Sequence, residues 1–341
     1  MEEYIYEVEN LKKFFKLPKK SLFKKRDILK AVNGVNFKIK KGETFGLVGE
    51  SGCGKTTLGY SLIKLYNPDE GKLIFKGKDI TKIEGSALKE FRSNVQIVFQ
   101  DPYSSLNPKK KIGWILEEPL KAHGYNDKNQ RYDKVLTMLK EVGFNEEYYK
   151  RYPHELSGGQ RQRIMIIHAL MLNPDFVILD EAVSALDVSV QSQILNLLNE
   201  LQKEFDLTYL FISHNLNVVH YISDRIAVMY MGEIVELATA YEIYHSPKHP
   251  YTQALFSAIP KITKDGTKRI ILSGDLPDPS NPPKGCKFHT RCKYAQDRCK
   301  NEVPKDYEVK KDHKVRCFLY ENGGKDENIH FIRHTCRRTI Y

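Results

Sequence analysis

Apolar and polar positions alternate over residues 4–11 with the two-residue period of a strand, after which the chain enters a Lys-rich arm, residues 12–30. Alternation returns at Val35-Asn-Phe-Lys-Ile, and beyond a turn at Lys41-Gly42-Glu43 a short apolar run, Thr44-Phe-Gly-Leu-Val, ends in glycine. Residues 57–63 then have helical spacing, so this stretch predicts strand, loop, helix. Residues 86–172 are mostly helical in pattern, punctuated by turn signals at Asp101-Pro102, Asn107-Pro108 and His123-Gly124, and predict a helical insertion. Two uninterrupted apolar runs, Phe176-Val-Ile-Leu and Tyr209-Leu-Phe-Ile, flank a helical stretch at residues 190–205. Buried strands alternating with helices predict an α/β fold with a mainly parallel sheet. Ile226-Ala-Val-Met-Tyr and Glu233-Ile-Val-Glu-Leu, on either side of Met231-Gly232, predict a hairpin. From Pro260 onward prolines at 277, 279, 282 and 283 mark a linker into a small cysteine-bearing appendage.

Composition narrows the class. With 341 residues, 41% of them hydrophobic, the chain has enough apolar material for a sizeable core and about two domains. Its longest apolar stretch, residues 164–172, is interrupted by His168 and is half the ~20 residues needed to cross a bilayer, so no transmembrane helix is expected. The acidic, polar start, Met-Glu-Glu-Tyr-Ile-Tyr-Glu, lacks the basic and then apolar pattern of a secretory signal, which places the expected compartment in the cytoplasm. The net charge of +11 is confined to the ends: residues 1–42 carry +7, residues 261–341 carry +8, and the middle is acidic at −4. A solvated basic surface is the simplest reading, with nucleic acid or anionic lipid headgroups as the alternatives. Four of the six cysteines, Cys286, Cys292, Cys299 and Cys317, cluster in the basic C-terminal part, where a reducing compartment favours metal ligation or unrelated thiols over disulfides.

The chemistry begins at Gly49-Glu50-Ser51-Gly52-Cys53-Gly54-Lys55-Thr56, a phosphate loop with the required strand before it and helix after it. Glycines let backbone N–H groups converge on a phosphate, and the helix N-terminus adds favourable potential for the anion. Lys55 would supply a point charge to the β- and γ-phosphates, Thr56 a hydroxyl ligand for magnesium, and Cys53 a small spacer. The strand Phe176-Val-Ile-Leu delivers Asp180 and Glu181, one carboxylate for magnesium and one to polarise the attacking water.

At Leu156-Ser157-Gly158-Gly159-Gln160 the chain resembles the ATP-binding cassette (ABC) ATPases, whose signature this pentapeptide is. The other family elements follow in register: Gln100 matches the Q-loop, Ser184-Ala-Leu-Asp187 the D-loop, and His214 the switch histidine. The resemblance implies a RecA-like parallel sheet with an antiparallel β subdomain and an α-helical subdomain, binding ATP and magnesium. It further implies that Ser157, Gly158, Gly159 and Gln160 complete the site of a partner cassette in a head-to-tail dimer, and that Asp187, Thr57 and Phe15 bind nucleotide. Phe15 would stack on adenine, with Phe14 its rival, while Gln100 would sense magnesium alongside Thr56 and Asp180, and Glu181 with His214 would drive hydrolysis.

Outside these motifs, Gln100-Asp-Pro-Tyr-Ser-Ser-Leu-Asn-Pro, Asp187-Val-Ser-Val-Gln, His249-Pro-Tyr-Thr-Gln-Ala-Leu-Phe-Ser-Ala-Ile-Pro and Asn281-Pro-Pro-Lys-Gly-Cys-Lys-Phe-His-Thr-Arg-Cys resemble the ATP-binding subunits of oligopeptide and dipeptide importers. The Lys-rich arm and Thr56-Thr-Leu-Gly are more similar to the F-type subunit than to its D-type companion. The implied organisation is a nucleotide-binding domain over residues 1–260, with its helical subdomain at about 86–172, a C-terminal region over 261–320, and an unassigned tail over 321–341 that includes Cys336. The implied partners are a D-type ATPase subunit, two transmembrane permease subunits and, indirectly, an extracytoplasmic peptide-binding protein, with the chain peripheral on the cytoplasmic face of the membrane and no nucleic acid involved. An importer of nickel or another small solute is the nearer alternative, and a soluble ABC ATPase acting on nucleic acid or the ribosome the distant one. The resemblance also matches the four clustered cysteines to ligands of a [4Fe-4S] cluster. Their gaps of five, six and seventeen residues fit neither a CxxC zinc pair nor the commonest ferredoxin run, so cluster, zinc and free or disulfide-bonded thiols all stay open. Ala182, Asn215 and His168 depart from the family's usual proline, aspartate and arginine without removing a catalytic group.

Overall fold

The computed structural model describes residues 3–18, 26–101, 105–259, 270, 272 and 274–321, which build two β-sheets and the helices packed on them. In the smaller sheet β1 (Tyr4–Lys16), β2 (Ile28–Lys40), β4 (Glu70–Phe75) and β5 (Lys78–Asp79) pair antiparallel in the order β2-β1-β4-β5. Much of the Lys-rich arm is therefore strand: β1 continues through Lys16, and Phe15 pairs with Leu29. Alternation fails there because register shifts interrupt the β1–β2 ladder, and because Lys12 and Lys13 form ion pairs with Glu70 (2.6 Å) and Asp69 (3.4 Å) along the sheet.

The larger sheet has eight strands in the order β11-β12-β10-β9-β3-β8-β7-β6. Five of them, β6 (Val95–Val98), β7 (Phe176–Asp180), β8 (Thr208–Ile212), β3 (Thr44–Val48) and β9 (Arg225–Tyr230), run parallel. Strands β3, β7 and β8 are buried at every position, which explains their uninterrupted apolar runs. One core fills the space between the two sheets around Phe37, Phe45, Leu47 and Leu58; a second, under the helices, gathers Leu116, Ile164, Leu179 and Leu198. Helix α1 (Lys55–Leu62) follows β3 as expected.

Two expectations need correction. The helical insertion does not begin at residue 86 as one block: after α2 (Gly85–Asn94) comes β6, whose Val-Gln-Ile-Val pairs residue for residue with Phe176 to Leu179. Four residues are too few for a period to show, so a strand was hidden between helices. The helices that follow are α3 (Ile112–Ala122), α4 (Lys128–Glu141) and α5 (Gly158–Leu170). Nor do the C-terminal strands stand apart as an appendage. After β10 (Glu233–Thr239) come α8 (Ala240–His245) and α9 (Pro250–Ser257), and the hairpin β11 (Tyr307–Lys310)–β12 (His313–Val315) then adds to β10, with Glu236 opposite Val315. An open β10 edge would leave a row of unpaired backbone groups, and β12 satisfies it. Buried Glu236 fastens the join, accepting from the N–H groups of Lys248 (2.7 Å) and His249 (2.8 Å) and lying 2.8 Å from His313 Nε2. The linker at residues 260–269 and residues 322–341, with Cys336, lie outside the described residues.

Helices α3 and α4 are locked by a nearly buried carboxylate. Glu117 faces Arg131 Nε at 3.1 Å and Lys121 Nζ at 2.9 Å, and accepts a hydrogen bond from the Tyr149 hydroxyl, while Arg131 also donates to the carbonyls of Tyr125 (2.7 Å) and Asn126 (2.8 Å). Removing one member of such a buried pair strands the other. Glu117→Ala is expected to lower the free energy of unfolding by about 3 kcal/mol, measured by denaturant titration; a loss below about 1 kcal/mol would mean that Arg131 finds water instead.

Candidate functional site

The site forms where the parallel strands end. The chain leaves β3 at Val48 and turns through Gly49 to Gly54 into α1. Gly54 is obligatory: its φ is +108°, and a Cβ there would sit 2.0 Å from the carbonyl oxygen of Ala31. Lys55 folds back over the loop, its Nζ donating to the carbonyls of Gly49 (2.9 Å) and Glu50 (3.1 Å), and is 5% exposed. Cys53 is buried, and that burial pushes its thiol up.

From the end of β7, Asp180 reaches Thr56, whose Oγ1 donates to Asp180 Oδ1 at 3.3 Å. Asp180 is 1% exposed, and burial is the main cause that pushes its carboxyl up to about 6, against the Thr56 hydrogen bond. A buried carboxylate beside a hydroxyl at the mouth of a phosphate loop is a donor set that fits a divalent cation with hard oxygen ligands. Glu181, next in sequence, has φ +50°, a left-handed conformation rare outside glycine. Its N–H donates to Ile212 O (2.9 Å) and its carbonyl accepts from Ser184 Oγ (2.9 Å), which hold the turn. The carboxylate is thereby aimed between Gln100, beyond β6, whose Nε2 donates at 3.0 Å, and His214, beyond β8, whose Nδ1 is 3.2 Å away.

These groups face a cavity of about 640 Å³ lined by Ser51 to Thr57, Gln100, Glu181 and His214, with Phe15, Leu29, Lys30, Ala31 and Asn33 at the β-sheet side. Phe15 faces the cavity and meets Tyr66 edge-on at 5.3 Å, whereas Phe14 is covered by Lys30 Nζ at 5.8 Å. Neighbours on a strand point to opposite faces, and that alternation separates the two candidates.

The signature lies elsewhere. Ser157 caps α5: its Oγ accepts from Gln160 N (3.3 Å) and its N–H donates to Gln160 Oε1 (3.0 Å). Gly159 packs against α6 (Val188–Glu204), where a Cβ would come within 2.5 Å of Val190, and Asp187 caps α6 by accepting from Val190 N at 2.9 Å. Ser157, Gly158, Gly159, Gln160 and Asp187 thus share one junction, separate from the cavity. Asn215 caps α7 (Leu216–Ile222), accepting from Asn217 and Val218 N–H groups, so it performs the backbone role open to an aspartate.

Sequence reasoning missed the part of the site that comes from the C-terminal region. Pro279, Pro282 and Lys287 line the cavity, Tyr251 Oη accepts from Glu50 N at 2.9 Å, and Arg291 grips the Glu50 carboxylate at 2.8 and 3.2 Å. No local pattern announces contacts between residues 200 positions apart.

Cys286, Cys292, Cys299 and Cys317 line one narrow cavity of about 20 Å³ with His249 and Phe288, and none of them is in a disulfide. Burial pushes the Cys286 thiol up to about 11 and the Cys317 thiol up to about 12. Four soft donors fit a thiolate-bound metal in number and kind, yet among the described residues no group of three or more His, Cys, Asp or Glu side chains is arranged to hold a metal ion. Among those residues, too, no helix is long and apolar enough to cross a membrane.

Residues 32–184 match the family described as ABC transporter, and residues 235–299 match the C-terminal region of oligopeptide/dipeptide transporters. The oligopeptide transport ATP-binding protein AppF of Bacillus subtilis is 51% identical over 94% of this chain and 98% of its own length. The dipeptide transport ATP-binding protein DppF of Escherichia coli is 48% identical over 96% of this chain and 97% of its own. Among solved structures, the dimeric ATP-binding cassette MJ0796 in a post-hydrolysis state with ADP and Pi superposes with a TM-score of 0.61 at 28% identity, over 69% of this chain and 98% of that one.

Proposed function

The chain belongs to the ATP-binding subunits of oligopeptide and dipeptide ABC transporters, and from that membership we propose how its residues power peptide import. It binds and hydrolyses ATP, and acts with transmembrane permease subunits. The observation that carries the residue assignment is the convergence of Lys55, Thr56, Gln100, Glu181 and His214 on one cavity, with Asp180 hydrogen-bonded to Thr56 behind it.

The loop N–H groups and Lys55 bind the β- and γ-phosphates, with Lys55 Nζ exchanging its two carbonyl partners for phosphate oxygens. Thr56, Asp180 and Gln100 would hold magnesium, which supplies charge neutralisation across the phosphates. Glu181 accepts the hydrogen bond of the attacking water and His214 steadies the γ-phosphate side, while Phe15 packs on the base. Because the signature residues lie away from the cavity of their own chain, we assign Ser157, Gly158 and Gly159 to the ATP of a companion cassette, a D-type subunit in the assembled importer. The similarity to a dimeric cassette supports that reading. Closure of the pair would move the helical subdomain and Gln100 against the permease, with this chain peripheral on the cytoplasmic face. Residues 1–260 form the nucleotide-binding domain and residues 261–320 the peptide-importer region in this scheme. The test is peptide uptake by proteoliposomes carrying the permease, the D-type subunit and this chain: uptake that needs ATP and stops when this chain is left out is expected, and uptake without it overturns the proposal.

We also propose that Cys286, Cys292, Cys299 and Cys317 ligate an iron–sulfur cluster, with zinc as the alternative, on the support of four thiols around one cavity. Protein purified without oxygen is expected to contain about four irons and four acid-labile sulfides per chain. Zinc without iron would make the centre a structural zinc site, and neither metal would return the cysteines to free thiols.

A further inference from the structure

Glu50 is an anomaly on electrostatic grounds, since it places a carboxylate in the second position of a loop that must receive a polyanion. The structure answers the charge from far away in sequence. Arg291, between Cys286 and Cys292, sends Nη1 and Nη2 to the two Glu50 oxygens at 2.8 and 3.2 Å, a bidentate pair. The residue is anchored through its backbone: its side chain is 9% exposed, its backbone N–H donates to Phe288 O at 3.0 Å, and Phe288 is wedged among Tyr230, Tyr251 and His249. Tyr251 then takes the Glu50 N–H and Lys55 Nζ the Glu50 carbonyl, so every polar group of Glu50 has a defined partner, two of them from beyond residue 250.

We propose that Arg291 is a positioning residue of the nucleotide site, through which the C-terminal region neutralises Glu50 and fixes the phosphate loop for a triphosphate. Without it a bare carboxylate would stand at the entrance to the anion site and the loop would lose its outer anchor. Both effects weaken ATP binding and leave the hydrolytic groups, Glu181 and His214, untouched. Lysine cannot reproduce the two parallel N–H contacts and should restore the charge alone.

The experiment uses the full chain with Arg291→Ala, Arg291→Lys, Glu50→Gln and the Arg291→Ala/Glu50→Gln pair, measuring ATP dissociation constants by titration and KM and kcat in the reconstituted importer. Arg291→Ala is expected to weaken ATP binding about tenfold, or 1.4 kcal/mol, with kcat changed less than about threefold. Glu50→Gln in that background should recover most of the loss, Arg291→Lys should fall between, and the deficit of Arg291→Ala should shrink as salt rises. Wild-type affinity in a folded Arg291→Ala protein overturns the proposal, as does a loss that neither the Glu50 change nor salt relieves. Should Arg291→Ala fail to fold, Arg291→Lys carries the decision: a raised KM at constant kcat supports the role, and an unchanged KM overturns it.

Discussion

Glu181→Gln is expected to bind ATP with near-native affinity and to hydrolyse it about a thousandfold more slowly, within the range by which a positioned general base contributes. The carboxylate is held by Gln100 Nε2 and His214 Nδ1 at the end of a strained turn, where it has little freedom to do anything but face the cavity. An amide of the same shape keeps the packing, and Gln100 can still pair with its oxygen. What it loses is the capacity to take a proton from water. Single-turnover hydrolysis beside equilibrium ATP binding separates the two effects, and a rate within tenfold of the native protein would move the assignment to another group. The same variant, mixed with its companion cassette and ATP, should accumulate the closed pair on gel filtration.

Lys55→Ala should abolish measurable nucleotide binding, with at least a hundredfold loss of affinity. The ammonium is almost fully buried and already inside the site, held by two loop carbonyls that it can exchange for phosphate oxygens. A charged hydrogen bond is worth about 1.5–3 kcal/mol, and Lys55 makes two in a loop whose other anion donors are N–H dipoles, so its loss removes the loop's own positive charge from the phosphates. Titration with ATP and ADP checks this. Unchanged affinity would mean that the backbone alone binds the anion and that Lys55 serves only the loop's shape.

The parts of this molecule legible in sequence are those whose chemistry lies in consecutive residues. The phosphate loop, the Asp180–Glu181 step and the Ser157 cap each need only a few neighbours to define their geometry, and each appears where its motif placed it. The central strands were legible for a different reason: a strand covered on both faces must be apolar throughout. Strand β6 escaped because four residues cannot express a period; β1 and β2 were legible at residues 4–11 and 35–39, and only their continuation through the Lys-rich arm escaped, because register shifts break the alternation there. Arg291 and Lys287 escaped because nothing near them in the chain requires a nucleotide; only the folded sheet carries them to the loop.

That same sheet sets a schedule for the chain's birth. Strand β3, which bears the phosphate loop, takes β8 and β9 as its two neighbours, and these are encoded at residues 208–212 and 225–230. At a synthesis rate of roughly 5–20 residues per second, β3 leaves the ribosome on the order of ten seconds or more before either neighbour exists. During that interval Thr44–Val48 lacks both of its sheet neighbours, and its early cover is limited to contacts such as that of Phe45 with Phe37 of β2. The sheet around the phosphate loop can therefore close only after residue 230 has been made, although the loop itself is among the earlier segments synthesised.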